Sequence, residues 1–118
     1  MLVVEDNVFF REVFTENFKE RFPDLIVEVA ATGDEALQKA TEHPPDLMVL
    51  DIELGGINGL DVGRRIRSAF PGIKIAMFTS YDLPEYRQAA KGFGADWFLV
   101  KDAFQWQDVE EVIESICR

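Results

Sequence analysis

Asp51 closes the apolar run Leu47-Met48-Val49-Leu50 and opens onto the glycine-rich stretch Ile52-Glu53-Leu54-Gly55-Gly56-Ile57-Asn58-Gly59. Three more apolar runs end in polar chemistry: Leu2-Val3-Val4 in Glu5-Asp6, Ile73-Lys74-Ile75-Ala76-Met77-Phe78 in Thr79-Ser80, and Trp97-Phe98-Leu99-Val100 in Lys101-Asp102. Continuous apolar runs are the mark of strands covered on both faces of a parallel sheet, and such sheets bind ligands beyond the carboxyl ends of their strands. The carboxylates of Glu5, Asp6 and Asp51, the Thr79 hydroxyl and the Lys101 ammonium would therefore meet in one place. Carboxylates about 4 Å apart repel by roughly 4 kcal/mol per pair at an effective dielectric of ~20. One lysine is too little to offset three of them, and a divalent cation completes the charge. Oxygen ligands from few residues, with retained waters, favour Mg²⁺ over Ca²⁺. Beside such a cation, Asp51 is placed to act as nucleophile toward a phosphoryl donor. The cation, Lys101 and the Thr79 hydroxyl would each take one transferring oxygen. The product would be an acyl phosphate, labile enough for a transient signal.

Taken singly, each residue has a plainer reading. Asp6-Asn7 could cap the first helix, Thr79-Ser80 could cap the fourth, and a lysine after a strand is usually solvated. Their convergence at one end of the same sheet is what points to a site.

The elements that must position them alternate five times between strand-like and helix-like patterns, the signature of parallel strands joined by helical crossovers. Residues 7–21 set Phe10, Phe14 and Phe18 at helical spacing with Val13 beside them, and Pro23-Asp24 stops that helix. Leu25-Ile26-Val27-Glu28-Val29 reads as the second strand. Thr32-Gly33-Asp34-Glu35 has capping-box spacing, with Ala36, Leu37 and Ala40 as the buried stripe that follows. A third helix runs from Gly59 to Ala69 with Leu60, Val62, Ile66 and Phe70 apolar, and Pro71-Gly72 turns the chain into strand four. Asp82 is expected to cap a fourth helix with Pro84 in its first turn, ending near Gly92-Phe93-Gly94. The last helix, from about Trp106 to Ile116, carries Val109, Val112 and Ile113. In a doubly wound sheet the first strand lies at the topological switch, so strands two and five fall nearer the edges and Lys101 must reach inward on its long stem.

Composition narrows the function classes. The 118 residues form one expected domain, and 47% hydrophobic content is ordinary for a chain with a real core. No apolar stretch approaches the ~20 residues of a membrane helix, and no signal peptide is visible. Twelve basic residues against 22 acidic ones give a net charge of −10, which opposes direct nucleic-acid or anionic-membrane binding by this segment. The lone Cys117 fits a reducing cytoplasm and reads as a small hydrophobe. His43, before Pro44-Pro45, reads as a loop residue.

At this point the chain resembles a bacterial response-regulator receiver domain over essentially its whole length. The matching stretches are Val3-Val4-Glu5-Asp6-Asn7, Leu47-Met48-Val49-Leu50-Asp51-Ile52, Asn58-Gly59, Phe78-Thr79-Ser80 and Gly94-Ala95-Asp96-Trp97-Phe98-Leu99-Val100-Lys101. The resemblance implies a doubly wound five-stranded parallel sheet with five helices, in flavodoxin-like order 2-1-3-4-5. It implies that Asp51 accepts a phosphoryl group from a histidine kinase or phosphotransfer protein, with Mg²⁺-dependent self-phosphorylation and autodephosphorylation as the only enzyme-like chemistry. Asp6 would bind Mg²⁺ directly, Glu5 directly or through water, and Glu53 through its backbone carbonyl, with Asp51 the remaining ligand. Lys101 would pair with the phosphoryl group, Thr79 would turn toward it, and Phe98 would be the aromatic switch that follows Thr79 inward. Readout would fall to the face of helix four, strand five and helix five, with pairing into a homodimer on activation left open.

Departures from the family pattern carry expectations of their own. Lys101-Asp102 replaces Lys-Pro, as in receivers that precede LuxR-type helix-turn-helix domains, and points to a trans peptide and to the N-terminal part of a transcriptional regulator. Leu54-Gly55 replaces Met-Pro and gives that loop more freedom. Strand one starts almost at Met1, several residues shorter than the family pattern, so that either Met1 is not the native start or the edge of that strand is frayed.

Other classes stand beside this reading. A stand-alone receiver in a phosphorelay has the same pocket without the output domain, and a phosphorylation-independent interaction domain would leave the pocket idle. Asp51-Ile52-Glu53 faintly resembles the Asp-x-Asp start of haloacid-dehalogenase phosphatases, but with Glu as the second acid. A flavin-binding module would need a phosphate-cradling loop where Glu5-Asp6 stands.

Overall fold

In the computed structural model, which describes residues 1–117, strands β1 (Leu2–Val4), β2 (Glu28–Ala30), β3 (Leu47–Asp51), β4 (Lys74–Thr79) and β5 (Trp97–Val100) form one parallel sheet in the order β2-β1-β3-β4-β5. Between and after them run α1 (Val8–Arg21), α2 (Gly33–Glu42), α3 (Gly59–Ala69), α4 (Pro84–Phe93) and α5 (Trp106–Cys117). The expected doubly wound topology is therefore present, with β1 at the switch. The side chain of Cys117, read above as a small hydrophobe, and Arg118 lie outside the described residues.

Alternation along the buried strands sorts the core into two layers. Leu2, Val4, Met48, Leu50, Ile75 and Met77 face Ala36, Ala40, Leu60, Val62, Ile66 and Ala90 of α2, α3 and α4. Val3, Leu47, Val49, Ala76 and Phe78 face Phe14 and Phe18 of α1 and Val109, Val112 and Ile113 of α5. The second layer is largely aromatic. The Phe14 ring lies 5.2 Å from Phe78, 5.5 Å from Trp106 and 5.8 Å from Phe18, centroid to centroid. Each buried Phe contributes about 1.5–3 kcal/mol of transfer free energy, so this layer locks α1 and α5 onto the sheet.

Register carries the active ends to one level. Val4 pairs with Leu50, Asp51 with Phe78 and Thr79 with Val100. Glu5 therefore follows β1 at the height of Asp51, and Lys101 emerges just past Thr79, where its N–H donates to the Thr79 carbonyl at 2.8 Å.

Several local expectations change. The second strand begins three residues later than its apolar run. β1 starts at Leu2, opposite Glu28, so residues before Glu28 have no further β1 residue to pair with, and Ile26 is left 79% exposed. Chain start and β2 are nonetheless tied, since the Met1 amine donates to the Ile26 carbonyl at 2.8 Å and the Glu28 N–H to the Met1 carbonyl at 2.9 Å. Val13 belongs to the solvent side of α1 and not to its buried stripe. Asn7 caps α1, accepting from the Phe10 N–H at 2.9 Å. Thr32 caps α2, accepting from the Glu35 N–H at 3.1 Å, but the Glu35 carboxylate reaches back to the N–H of Ala31, not Thr32, at 2.7 Å. His43 sits at the C-cap of α2. Asp82 does not cap α4. Leu83 holds that position without a side-chain bond, and Asp82 is drawn away into an ion pair with Arg87. Gly94 ends α4 in the left-handed region at φ 86°, a conformation glycine adopts without a Cβ penalty. Among the described residues all peptide bonds are trans, the 101–102 bond included.

Gly59 is required by close approach. A Cβ built there would lie 1.9 Å from the Asp51 carbonyl oxygen and 2.7 Å from Ile52 Cα. The N-terminus of α3 thus rests directly on the end of β3, held by the Gly59 N–H to the Ile52 carbonyl at 2.9 Å and capped by Asn58, which accepts from the Leu60 N–H at 2.7 Å. Gly59→Ala is expected to lower the urea-unfolding free energy by about 3 kcal/mol through backbone displacement. Gly72→Ala, where a Cβ meets nothing within 4 Å, is expected to stay near neutral. Equal stabilities for the two variants would contradict this account of the close approach.

Candidate functional site

Three strand ends supply the pocket floor. Glu5 and Asp51 are buried and Asp6 is exposed, and their ligand oxygens all lie within 4.8 Å of one another. The Lys101 ammonium donates to Glu5 Oε2 at 2.9 Å and lies 3.5 Å from Asp51 Oδ2. Its stem crosses from β5 over β4 as expected, and Nζ sits 4.5 Å from the Phe10 ring centroid, so the aromatic layer also flanks the charge.

The surrounding backbone orients each acid. The Asn7 N–H donates to Glu5 Oε1 at 3.3 Å, the Glu53 N–H to Asp51 Oδ1 at 3.2 Å, and the Gly55 N–H to Asp6 Oδ2 at 3.2 Å. Arg11 clamps the Glu5 carbonyl at 2.9 Å. The loop after Asp51, where Leu54-Gly55 carries the expectation of more freedom, bonds to Asp6 at Gly55 and buries the Leu54 side chain.

Charge is under-compensated here. Burial first, and then the neighbouring Asp51, push the Glu5 carboxyl up to about 7, against the opposing hydrogen bond from Lys101. An all-oxygen donor set with excess negative charge and one exposed member fits a hard divalent cation reached from solvent.

Thr79 is fully buried, and its hydroxyl donates to the Glu53 carboxylate, at 2.8 Å to Oε1 and 3.0 Å to Oε2, while accepting from the Tyr81 N–H at 3.0 Å. Burial raises the Glu53 carboxyl above its ordinary range, with the charge of Asp51 adding to it and the hydrogen bonds from Thr79 and the Ser80 backbone opposing it. Phe98 is half-buried against the α2–α4 layer, and the Arg87 guanidinium lies 4.6 Å from its ring centroid.

The structure thus brings Glu5, Asp6, Asp51 and Lys101 into one cluster and sets Thr79 at its rim through Glu53. Phe98 lies on β5 outside it. The Glu53 side chain was missed by sequence reasoning, which used only its backbone carbonyl. Its place two residues after Asp51 in a turn at the same strand end was the available signal. No helix among the described residues is long and apolar enough to cross a membrane.

Comparisons with known proteins converge. Residues 1–114 match the family described as the response regulator receiver domain. The transcriptional activator protein ExaE of Pseudomonas putida is 36% identical over 104 residues, covering 87% of this chain and 48% of the relative. The oxygen regulatory protein NreC of Staphylococcus haemolyticus is 34% identical over 106 residues, again 87% of this chain and 48% of the relative. The chain spans about half the length of the curated relatives it matches. Among solved structures, the response regulator TrrA of Thermotoga maritima, in complex with Mg²⁺-BeF, superposes with a TM-score of 0.84 at 34% identity, covering 98% of this chain and 96% of that one. A CheY-like receiver domain from Methanospirillum hungatei gives a TM-score of 0.87 at 28% identity, covering 98% and 90%.

The raised Glu5 carboxyl has a pH consequence. The native state keeps that proton up to about pH 7, whereas the unfolded chain releases it near 4.5. Native protein then binds more protons across that window, so the contribution of Glu5 to stability falls as pH rises from 4.5 through 7 and is level above it. Denaturation of metal-free protein at pH 5 to 8 is expected to show wild type losing a few kcal/mol relative to Glu5→Gln across the window. Parallel pH curves for the two proteins would rule the burial argument out.

Proposed function

The chain belongs to the response regulator receiver domain family, and from that premise we propose that Asp51 is its phosphoacceptor, taking a phosphoryl group from a histidine kinase or phosphotransfer protein. The observation that carries the assignment is the placement of Asp51, buried at the end of a central strand, 3.5 Å from the Lys101 ammonium and among two further carboxylates. An Asp51 carboxylate oxygen attacks phosphorus, the bond to the donor breaks, and an acyl phosphate forms. Lys101, already held at that distance by Glu5, pairs with a phosphoryl oxygen as charge develops on it. Mg²⁺, when held by Glu5, Asp6, Asp51 and the Glu53 backbone carbonyl, supplies the neutralisation that lets an anionic donor approach this acidic pocket. Autodephosphorylation is the same site opened to water, which limits the lifetime of the signal.

The acyl phosphate carries about −1.5 to −2 charges where the free carboxylate carried one, and it brings new acceptor oxygens. Thr79 turns toward them, Phe98 follows inward, and the face formed by α4, β5 and α5 changes. Activation could pair that face into a homodimer. We assign residues 1–118 to one receiver domain working in the cytoplasm. The names of its relatives, together with Lys101-Asp102, support a place at the N-terminal end of a transcriptional regulator, with no nucleic-acid contact by this acidic segment itself.

A protein donor needs a foothold beside the pocket. Val8 and Phe9, 55% and 77% exposed, stand on the first turn of α1 just after Asp6, an apolar pair at the rim that a partner can cover.

Intact mass after incubation with acetyl phosphate is expected to rise by one phosphoryl group with Mg²⁺, and not without it or in Asp51→Asn. Wild type that stays unlabelled while a known receiver is labelled would sink the phosphoacceptor reading. Phe9→Ser is expected to slow transfer from a phosphorylated donor protein about tenfold, as for loss of a buried contact residue, and to leave labelling by acetyl phosphate within twofold. Equal slowing with both donors would remove the foothold.

A further inference from the structure

The Glu53 side chain has no part in the chemistry described above, yet it holds the one hydroxyl proton that chemistry needs. Thr79 Oγ1 carries a single proton, and that proton lies between two Glu53 carboxylate oxygens at 2.8 and 3.0 Å. The hydroxyl's acceptor side is taken by the Tyr81 N–H at 3.0 Å, and the residue is fully buried, so water offers no alternative partner. A hydroxyl so committed cannot donate to a phosphoryl oxygen on Asp51. Glu53 is itself tethered to the acceptor, since its backbone N–H donates to Asp51 Oδ1 at 3.2 Å.

Resting on the receiver reading, we propose that Glu53 is a positioning residue that latches Thr79 in the resting state, and that the phosphoryl group on Asp51 opens the latch by expelling the Glu53 carboxylate. The physical drive is charge. Glu53 already feels the Asp51 carboxylate, and a phosphoryl group there raises that negative charge up to about twofold. The carboxylate swings to solvent, which its half-exposed position allows, and Thr79 Oγ1 is freed to donate its proton to the new acceptor. The cost of breaking the Thr79–Glu53 bond is thereby written into the phosphorylation step, and the latch makes the conformational switch conditional on the modification.

Two measurements decide this. In the metal-free, unphosphorylated protein, the methyl resonance and χ1 couplings of Thr79 are expected to report one rotamer in wild type and in Glu53→Gln, whose amide oxygen still accepts the proton. Glu53→Ala is expected to show averaging. A Thr79 side chain unchanged in Glu53→Ala would overturn the latch. In the second measurement, labelling by phosphoramidate with Mg²⁺, Glu53→Ala is expected to raise the rate about tenfold, the scale of one hydrogen bond to a charged group. In a Thr79→Ala background, where no latch remains to be broken, the same substitution is expected to change it less than about twofold. An equal gain in both backgrounds would mean that Glu53 acts only as a charge on the incoming donor, and no gain in either would mean that it does not act; both outcomes overturn the proposal. Should wild type take no label at all, the receiver reading fails, while the resonance of Thr79 still decides whether the latch exists.

Discussion

The position of Lys101 is the constraint on which the rest of the site depends. Its ammonium joins Glu5 at 2.9 Å and Asp51 at 3.5 Å, and both acids are 3% exposed at the side chain. Two carboxylates buried that closely would repel by several kcal/mol without it. The lysine thus ties the end of β5 to the ends of β1 and β3 across the intervening β4. Its ammonium lies over the Phe10 ring, so the placement of the charge is also a matter of aromatic packing. One positive charge still faces the three carboxylates of the cluster. That residual imbalance is what prepares the pocket for a cation.

Both core layers bear on the site. Phe14, Phe18, Phe78 and the α5 residues hold α1 rigidly behind the acids. The opposite layer includes α3 and α4, and the face of the proposed response spans both layers, with α4 on one side of the sheet and α5 on the other. Gly59 brings α3 against the Asp51 carbonyl, so the phosphoacceptor's own backbone is wedged between a strand and a helix terminus. The hydroxyl, the aromatic ring and their holders, Glu53 and Arg87, form two neighbouring contacts at the ends of β4 and along β5. Each is weak enough to be broken by a change of a few kcal/mol, the scale at which a charge-driven switch operates.

Much of this was legible in the chain. Four apolar runs, each ending in a residue with chemistry, are enough to place Glu5, Asp6, Asp51, Thr79 and Lys101 at one edge, because parallel strands share a direction and the polar ends have nowhere else to go. Helix faces followed from spacing, as with Phe14 and Phe18. The misreadings have a common cause, which is that pairing partners and competing side chains cannot be counted along a sequence. Leu25 to Val27 look like strand, but β1 has no residue to offer them. Val13 shares the spacing of the phenylalanines but lies past the edge of the sheet contact. Asp82 is well placed to cap α4, yet Arg87 one turn on competes for it.

Sequence alone determined the layer architecture, the identity of the acidic cluster and the need for Lys101 to reach inward, because hydrophobic periodicity and strand direction are local properties that every residue votes on. Only the tertiary structure decided that burial raises the Glu5 and Glu53 carboxyls, that the glycine loop is bonded to Asp6 at Gly55, and that the Thr79 proton belongs to Glu53. Those outcomes depend on burial and on distances of a few ångströms between residues up to 96 positions apart, as for Lys101 and Glu5, and such distances exist only once the chain has folded.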